Sequence, residues 1–427
     1  MKYAKIIFMK KILTSEIALL IIATLVTASA ILFLYPYEPK QPPKANETGW
    51  TQEGVQAVVN ANNKFALELY SELSKREQGN IFYSPYSIFS ALAMTYEGAR
   101  GQTAEEIKSV FHFPDYSVLR PNFAAVYNDI NEASKFYELR TGNALWVQKD
   151  YPLLEDYVNR VEEYYGGKAA NLDFINEPEK SRQTINSFIE EQTNGKIKNL
   201  IPPGSFNPLT RLVLTNAIYF KGLWKWQFDP KDTKERDFYV TPTNKVKVPM
   251  MCMEPEKAEF NYADTTYLQI LELPYRGEKI SMLILLPKEN LKSIEPLTIE
   301  KLSEYKSKMK KTKLRLICIP KFEFDTKYNL NENLKDLGMP TAFKWPGADF
   351  SGMDGTKMLY IDKAIHQAYI KVDERGTEAA AATTIVIGFG SALPLDMFIA
   401  NRPFIFIIQQ KDTGNILFLG RIVDPTQ

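Results

Sequence analysis

No stretch of this 427-residue chain restricts its fold more than residues 373–387, Asp-Glu-Arg-Gly-Thr-Glu-Ala-Ala-Ala-Ala-Thr-Thr-Ile-Val-Ile. Its β-branched end, Thr383 to Ile387, opposes a helix, because branching at Cβ loses rotamer freedom against the preceding turn. In a strand the side chains alternate between two faces. One face then carries Thr377, Ala379, Ala381, Thr383, Ile385 and Ile387, and the other Glu378, Ala380, Ala382, Thr384 and Val386. The first face has no charge, no large ring and no proline. A central strand needs each of those absences, since proline removes a ladder donor and an unpaired charge cannot be buried. The segment is thus built to fit the middle of a sheet.

The N-terminus carries a second signal. Lys2, Lys5, Lys10 and Lys11 precede an uncharged apolar run, Ile17 to Tyr35, long enough to cross a bilayer as a helix. The lysines would stay in the cytoplasm and the rest of the chain would lie outside. A cleaved signal peptide ending at Ala28-Ser29-Ala30 competes with an uncleaved anchor and also exports the chain. The organisation expected is a short cytoplasmic N-terminus (1–11), an anchor or signal sequence (12–35), a proline-rich tether (36–50) and one large domain (51–427). In the tether, Pro36, Pro39, Pro42 and Pro43 predict an extended, solvated spacer, and Asn46-Glu47-Thr48 is a glycosylation sequon. The location predicted is the extracellular face of the membrane, or the medium if the signal is cleaved.

Within the domain the first part reads as mostly helical. Val58, Asn62, Phe65, Ala66, Leu69 and Leu73 mark one amphipathic helix, and Ile185, Phe188 and Ile189 another, ended by a left-handed Gly195. Thr103 to Glu106 reads as a capping box opening the helix of Ile107 and Val110. Strand-like runs follow at 211–220, 280–286, 314–319, 404–408 and 416–422. Helices first and strands later predict an α+β domain. Cys252 and Cys318 are too few for a disulfide framework; a single bridge is open to them, and buried small hydrophobes are the default reading.

Enzyme chemistry finds little support. The two histidines, His112 and His366, belong to no HExxH motif, and there is no GxSxG elbow or P-loop. His366, in an apolar strand-like context, reads as a satisfied core residue. A surface hydrolase would need an acid–base pair that the chain does not supply. A net charge of +1 lacks the basic footprint of a nucleic-acid binder. The lysines between Lys301 and Lys313 read as a solvated helix and loop surface. No cofactor is called for.

At Gly376 to Thr383 the chain resembles the serpin family, whose inhibitory members share this Gly-Thr-Glu-Ala-Ala-Ala-Ala-Thr hinge. The pattern stands at the expected distance before Asn401-Arg402-Pro403-Phe404. Further matches at 80–88, 215–224 and 414–422 spread over the domain. The resemblance implies helices packed around large mixed and antiparallel sheets, with an exposed reactive-centre loop at about 374–400. It implies a monomeric, irreversible inhibitor of serine, or cysteine, proteases: the loop is cleaved as a substrate, an acyl-enzyme forms, and the hinge inserts as a new strand. It also gives roles to single residues. Ser84, Ser87, Asn216 and His366 match a polar cluster beneath the strands that must part, Trp224 the tryptophan where the loop enters, and Glu374 with Lys321 a charged pair at the top of the sheet.

Counting from the hinge puts the scissile bond at Gly390-Ser391, with Phe389 and Ala392 beside it; counting back from Asn401 gives Ala392-Leu393. The hinge count is preferred, since that length sets how hard the protease is pulled. Gly390 and Ala392 suit elastase- or subtilisin-like proteases and Phe389 a chymotrypsin-like pocket. No Lys or Arg lies between Gly376 and Arg402, which argues against trypsin-like targets. A non-inhibitory serpin acting as carrier, chaperone or storage protein is the alternative; the small, proline-free hinge favours inhibition.

Overall fold

The computed structural model describes residues 44–377 and 396–427, apart from positions 133, 135, 256 and 257. The expectations for residues 1–43, for Glu378, Ala379, Ala380, Ala381, Ala382 and Thr383, and for Phe389, Gly390, Ser391 and Ala392 lie outside the described residues. In chain order the helices are α1 (Gln52–Arg76), α2 (Pro85–Gly98), α3 (Gly101–Phe111), α4 (Tyr116–Ile130), α5 (Glu155–Tyr165), α6 (Pro178–Gln192), α7 (Ile299–Ser307), α8 (Asn331–Leu337) and α9 (Ser351–Asp354). The strands are β1 (Ile81–Tyr83), β2 (Tyr137–Gln148), β3 (Lys168–Leu172), β4 (Leu212–Leu223), β5 (Lys234–Tyr239), β6 (Lys245–Met253), β7 (Glu259–Asp264), β8 (Leu268–Pro274) and β9 (Ile280–Pro287). They continue with β10 (Lys310–Lys313), β11 (Leu316–Pro320), β12 (Phe322–Asn329), β13 (Ile361–Asp373), β14 (Gly376–Thr377), β15 (Met397–Ile399), β16 (Phe404–Gln410) and β17 (Ile416–Ile422).

Among the described residues these strands form three sheets. A six-stranded sheet has the order β12-β13-β14-β4-β2-β3, a seven-stranded antiparallel one β1-β17-β16-β9-β8-β7-β10, and a four-stranded one β15-β11-β6-β5. In the first, β13 and β4 are parallel neighbours from Ile361/Leu212 to Ala368/Ile218, and the two-residue β14 wedges between their upper ends. Helices beside mixed and antiparallel sheets make this an α+β fold.

Helix α2 sits between the two larger sheets and every one of its residues is buried. Ser84 caps it, Oγ accepting from Ser87 N at 3.1 Å, and Pro85 supplies the fixed φ of the first helical position. The inner core is aromatic: the Phe82 and Phe418 rings stack at 5.4 Å, and Phe220 packs on Phe418. Helix α6 covers the outer face of the six-stranded sheet, where Ile185 and Ile189 bury against Trp146, Val213, Ala217 and Ile365. It ends as expected, with Asn194 and Gly195 both left-handed and Gly195 N bonding Glu190 O.

Several expectations need correction. The capping box does not form: α3 starts at Gly101, Thr103 lies inside it and accepts from Asp349 N, and Glu106 accepts from Thr341. Both side chains are taken by a distant segment of the chain. The region read as mostly helical contains β2, whose twelve residues lie next to β4 across the middle of a sheet. The lysine run divides: Lys306 is drawn in to Gln409 Oε1 at 2.9 Å, while Lys310, Lys311 and Lys313 line the edge strand β10, where charge discourages edge-to-edge pairing. Residues 44–50 pack on the domain, Ala45 being buried with its N–H and C=O both bonded to the Asn128 amide.

The cysteines also depart from their default reading. Cys252 and Cys318 are buried as expected, yet they stand opposite each other in β6 and β11 and form a disulfide. The bridge spans 66 residues of sequence, so chain entropy gives it a stabilising contribution of about 4 kcal/mol at most. Cys318→Ala paired with Cys252→Ala should lower the thermal midpoint by several degrees relative to the oxidised chain. A midpoint equal to that of the oxidised protein would show that packing alone accounts for these residues.

Candidate functional site

The seam between β13 and β4 is held by side chains as well as by its backbone ladder. His366 and Asn216 are register partners across the seam; Tyr328 lies opposite His366 on β12, and Asn143 opposite Asn216 on β2. The His366 ring is fully buried. Its Nε2 accepts from Ser84 N at 3.1 Å, and since a backbone N–H only donates, that nitrogen carries no proton. The ring proton is then on Nδ1, which donates to Asn216 Oδ1. Burial pushes the imidazole pKa down to about 3, and the contact with Asn216 offsets this only in part.

The network continues into the cap of α2. Asn216 Nδ2 donates to Ser87 O and to Asn143 Oδ1, the latter at 2.7 Å. Ser87 Oγ donates to the same Asn143 oxygen at 2.8 Å, and Ser84 Oγ donates to Leu417 O at 2.6 Å. Ser84, Ser87, Asn216 and His366, singled out separately in the sequence, are thus brought into one network joining the helix cap, β13, β4 and β17. Asn143 was not foreseen. A lone asparagine beside the run Ala144-Leu145-Trp146-Val147 was the available signal.

A second group surrounds the upper end of the seam. Thr377 is buried and pairs with Val372 on one side and Gly222 on the other. Its Oγ1 is 2.7 Å from the Tyr275 hydroxyl, and the Tyr275 ring stacks on Trp224 at 4.5 Å. Trp224 Nε1 donates to Asp373 O at 3.0 Å and its N–H to Arg375 O at 2.7 Å, so the tryptophan holds the turn between β13 and β14. Glu374 in that turn accepts from Lys321 Nζ at 2.9 and 3.0 Å and from Thr233 Oγ1 at 2.8 Å. Burial opposes its ionisation, but the Lys321 ammonium and the Thr233 hydroxyl outweigh it and hold the carboxyl below its ordinary range. At Gly376 an added Cβ would run into the Gly222 carbonyl, so this position excludes every other residue type in this pose. Tyr275 and Thr233 were missed: nothing in their local sequence separates them from ordinary strand residues.

Because His366 is held neutral, acid should weaken the closed seam. An unfolded or opened state regains a histidine pKa of about 6.5 and binds a proton that the native ring refuses. Stability should therefore fall as pH drops below about 6.5, by up to about 1.4 kcal/mol per pH unit, and level off near pH 3. Denaturant unfolding of the wild type and of His366→Gln across pH 4–8 checks this. The variant should be less stable at pH 7.5 and lose this part of the acid slope; parallel slopes would contradict the assignment.

The comparisons with known proteins agree with this architecture. The model of the serpin (serine protease inhibitor) family matches residues 60–425. An uncharacterized serpin-like protein of Methanosarcina mazei is 42% identical over 378 residues, covering 86% of this chain and 87% of the relative. Leukocyte elastase inhibitor A of Rattus norvegicus is 38% identical over 380 residues, 87% of this chain and all of the relative. Among solved structures, human thyroxine-binding globulin superposes with a TM-score of 0.80 at 31% identity, over 88% of this chain and 100% of that one. On its fold, its family match and its relatives, the chain belongs to the serpin family.

Proposed function

We propose that this serpin inhibits a serine protease by presenting residues 374–400 as a substrate loop and, once cut, inserting its hinge between β13 and β4. The observation that carries the reading is the two-residue strand β14, which already fills the top of that seam with Gly376 against Asp373 and Leu223. Below it the seam keeps one register down to Lys363 and Val213, where an irregularity shifts it by one: His366 and Asn216 are 150 positions apart, as are Val372 and Gly222 on either side of Thr377. A longer β14 therefore needs β13 and β4 to move apart sideways, with no slip along the strands.

Extending the pairing downward gives every hinge residue a position. Ala379 falls opposite Ile370 and Phe220, and Ala381 opposite Ala368 and Ile218, all of them buried. Thr383 arrives between His366 and Asn216, where one hydroxyl can accept from the ring N–H and donate to the amide oxygen in place of their direct bond. Ile385 and Ile387 reach the levels of Leu214 and Leu212, at the foot of the core face. The twelve positions from Gly376 to Ile387 equal the length of β4. One ladder is exchanged for two, and at ~1 kcal/mol per bond the gain is on the order of 10 kcal/mol. The uncut form is then kinetically trapped.

Gly390, Ala392 and the elastase inhibitor among the relatives support an elastase- or subtilisin-like target, Phe389 a chymotrypsin-like one. We place the domain outside the cell, tethered by residues 12–35 or released. The basic and apolar N-terminus supports this, as does the Cys252–Cys318 bridge, which suits an oxidising compartment. No helix among the described residues is long and apolar enough to cross a membrane.

Incubation of the chain with elastase, subtilisin and chymotrypsin should give an adduct that survives SDS, with a released peptide beginning at Ser391. Ala381→Arg puts a charge at a position facing Ala368 and Ile218, so this variant should be cut at the wild-type rate and leave no adduct. Clean cleavage of the wild type by all three proteases, without adduct, would point instead to a non-inhibitory serpin.

A further inference from the structure

The outer face of the six-stranded sheet carries a row of charges at the level just below β14. Glu323 on β12 is the register partner of Lys371 on β13, and the two are ion-paired at 2.7 Å. Across the seam, Lys221 on β4 is the register partner of Glu138 on β2. The Glu138 carboxylate is taken by Arg140 and by Asn194 Nδ2 at 2.8 Å. Lys221 is half-buried, and among the described residues no carboxylate pairs with its ammonium. The row thus reads acid, base, seam, base, acid, with two lysines facing each other across the place where a strand would enter.

The register fixes what would enter there. Thr377 lies between Val372 and Gly222 with its side chain on the core face. The next residue of an inserted strand falls between Lys371 and Lys221 and points to the outer face, because side chains alternate. In this sequence that residue is Glu378. We propose that Lys221 and Lys371 form a charge-selective cradle for the Glu378 carboxylate and so act as positioning residues for the first step of hinge insertion. This rests on the insertion reading above and adds the chemical requirement at that step. A carboxylate completes an alternating row of five charges, with an opposite charge directly across on each side, an arrangement that stabilises neighbouring strands. A neutral residue leaves two ammonium groups facing each other. Since Glu378 is the first residue to enter after Thr377, its capture bears on the race between insertion and hydrolysis of the acyl-enzyme.

The test uses Glu378→Gln, Lys221→Gln, the double variant, and Lys221→Arg as the charge-preserving control. Two quantities are read: the rise in thermal midpoint on loop cleavage, and the number of inhibitor molecules consumed per protease trapped. Each single neutral variant should lower the rise by about 1–3 °C and raise the consumption about two-fold, and the double variant should do little more than either. Lys221→Arg should behave as wild type, and the differences should shrink in 1 M salt. Single variants that match the wild type, or effects that add in the double variant, would overturn the proposal. A wild type whose midpoint does not rise on cleavage would remove the insertion reading, and this cradle with it.

Discussion

A single hydrogen bond between side chains, from His366 Nδ1 to Asn216 Oδ1, spans the parallel β13–β4 seam of the six-stranded sheet. Its partners are fixed from below. Ser84 caps α2, gives its N–H to the histidine and its hydroxyl to β17, while Ser87 and Asn143 hold the Asn216 amide. The buried helix, the seven-stranded sheet and the seam thus share one set of polar atoms. Buried networks of this kind are stable when every member is satisfied and costly when one is not. That is the behaviour expected of a latch: firm while closed, and ready to close again around a newcomer with matching groups.

In the insertion register proposed above, Thr383 would meet those groups and the rest of the hinge the slot above them. On the proposed insertion the alanines would face the aromatic and aliphatic core side and Glu378 the two lysines, while Gly376 occupies the one position where a Cβ would strike the Gly222 backbone. At the top of the seam β14 is supported by Trp224 and Tyr275, whose rings stack and whose polar groups bond Asp373 O and Thr377, and by the Lys321–Glu374 pair that holds its turn. The four-stranded sheet carries the other end of the loop. There β15 lies along β11, which the disulfide joins to β6, so the loop's C-terminal anchor rests on a cross-linked support.

The sequence was most readable where a residue carries its own constraint. Gly195 marks a left-handed helix end, and the spacing of Val58 to Leu73 marks α1; each is a local property. Placement that depends on distant partners was not readable. Thr103 and Glu106 have the spacing of a cap but bond Asp349 and Thr341, more than two hundred residues away. The disulfide joins cysteines that only β6–β11 pairing brings face to face. Asn143, Tyr275 and Thr233 acquire meaning only from what lies across from them, and the row of Glu323, Lys371, Lys221 and Glu138, with its two lysines adjacent, emerges only when four strands are set in register.

The most direct measurement is the structure of the chain after its loop has been cut. The account predicts a strand from Gly376 to Ile387 between β13 and β4, with Thr383 between His366 and Asn216 and the numbering offset across the seam unchanged. A cut loop lying outside the sheet, with β13 still paired to β4 and the His366–Asn216 bond intact, would contradict it.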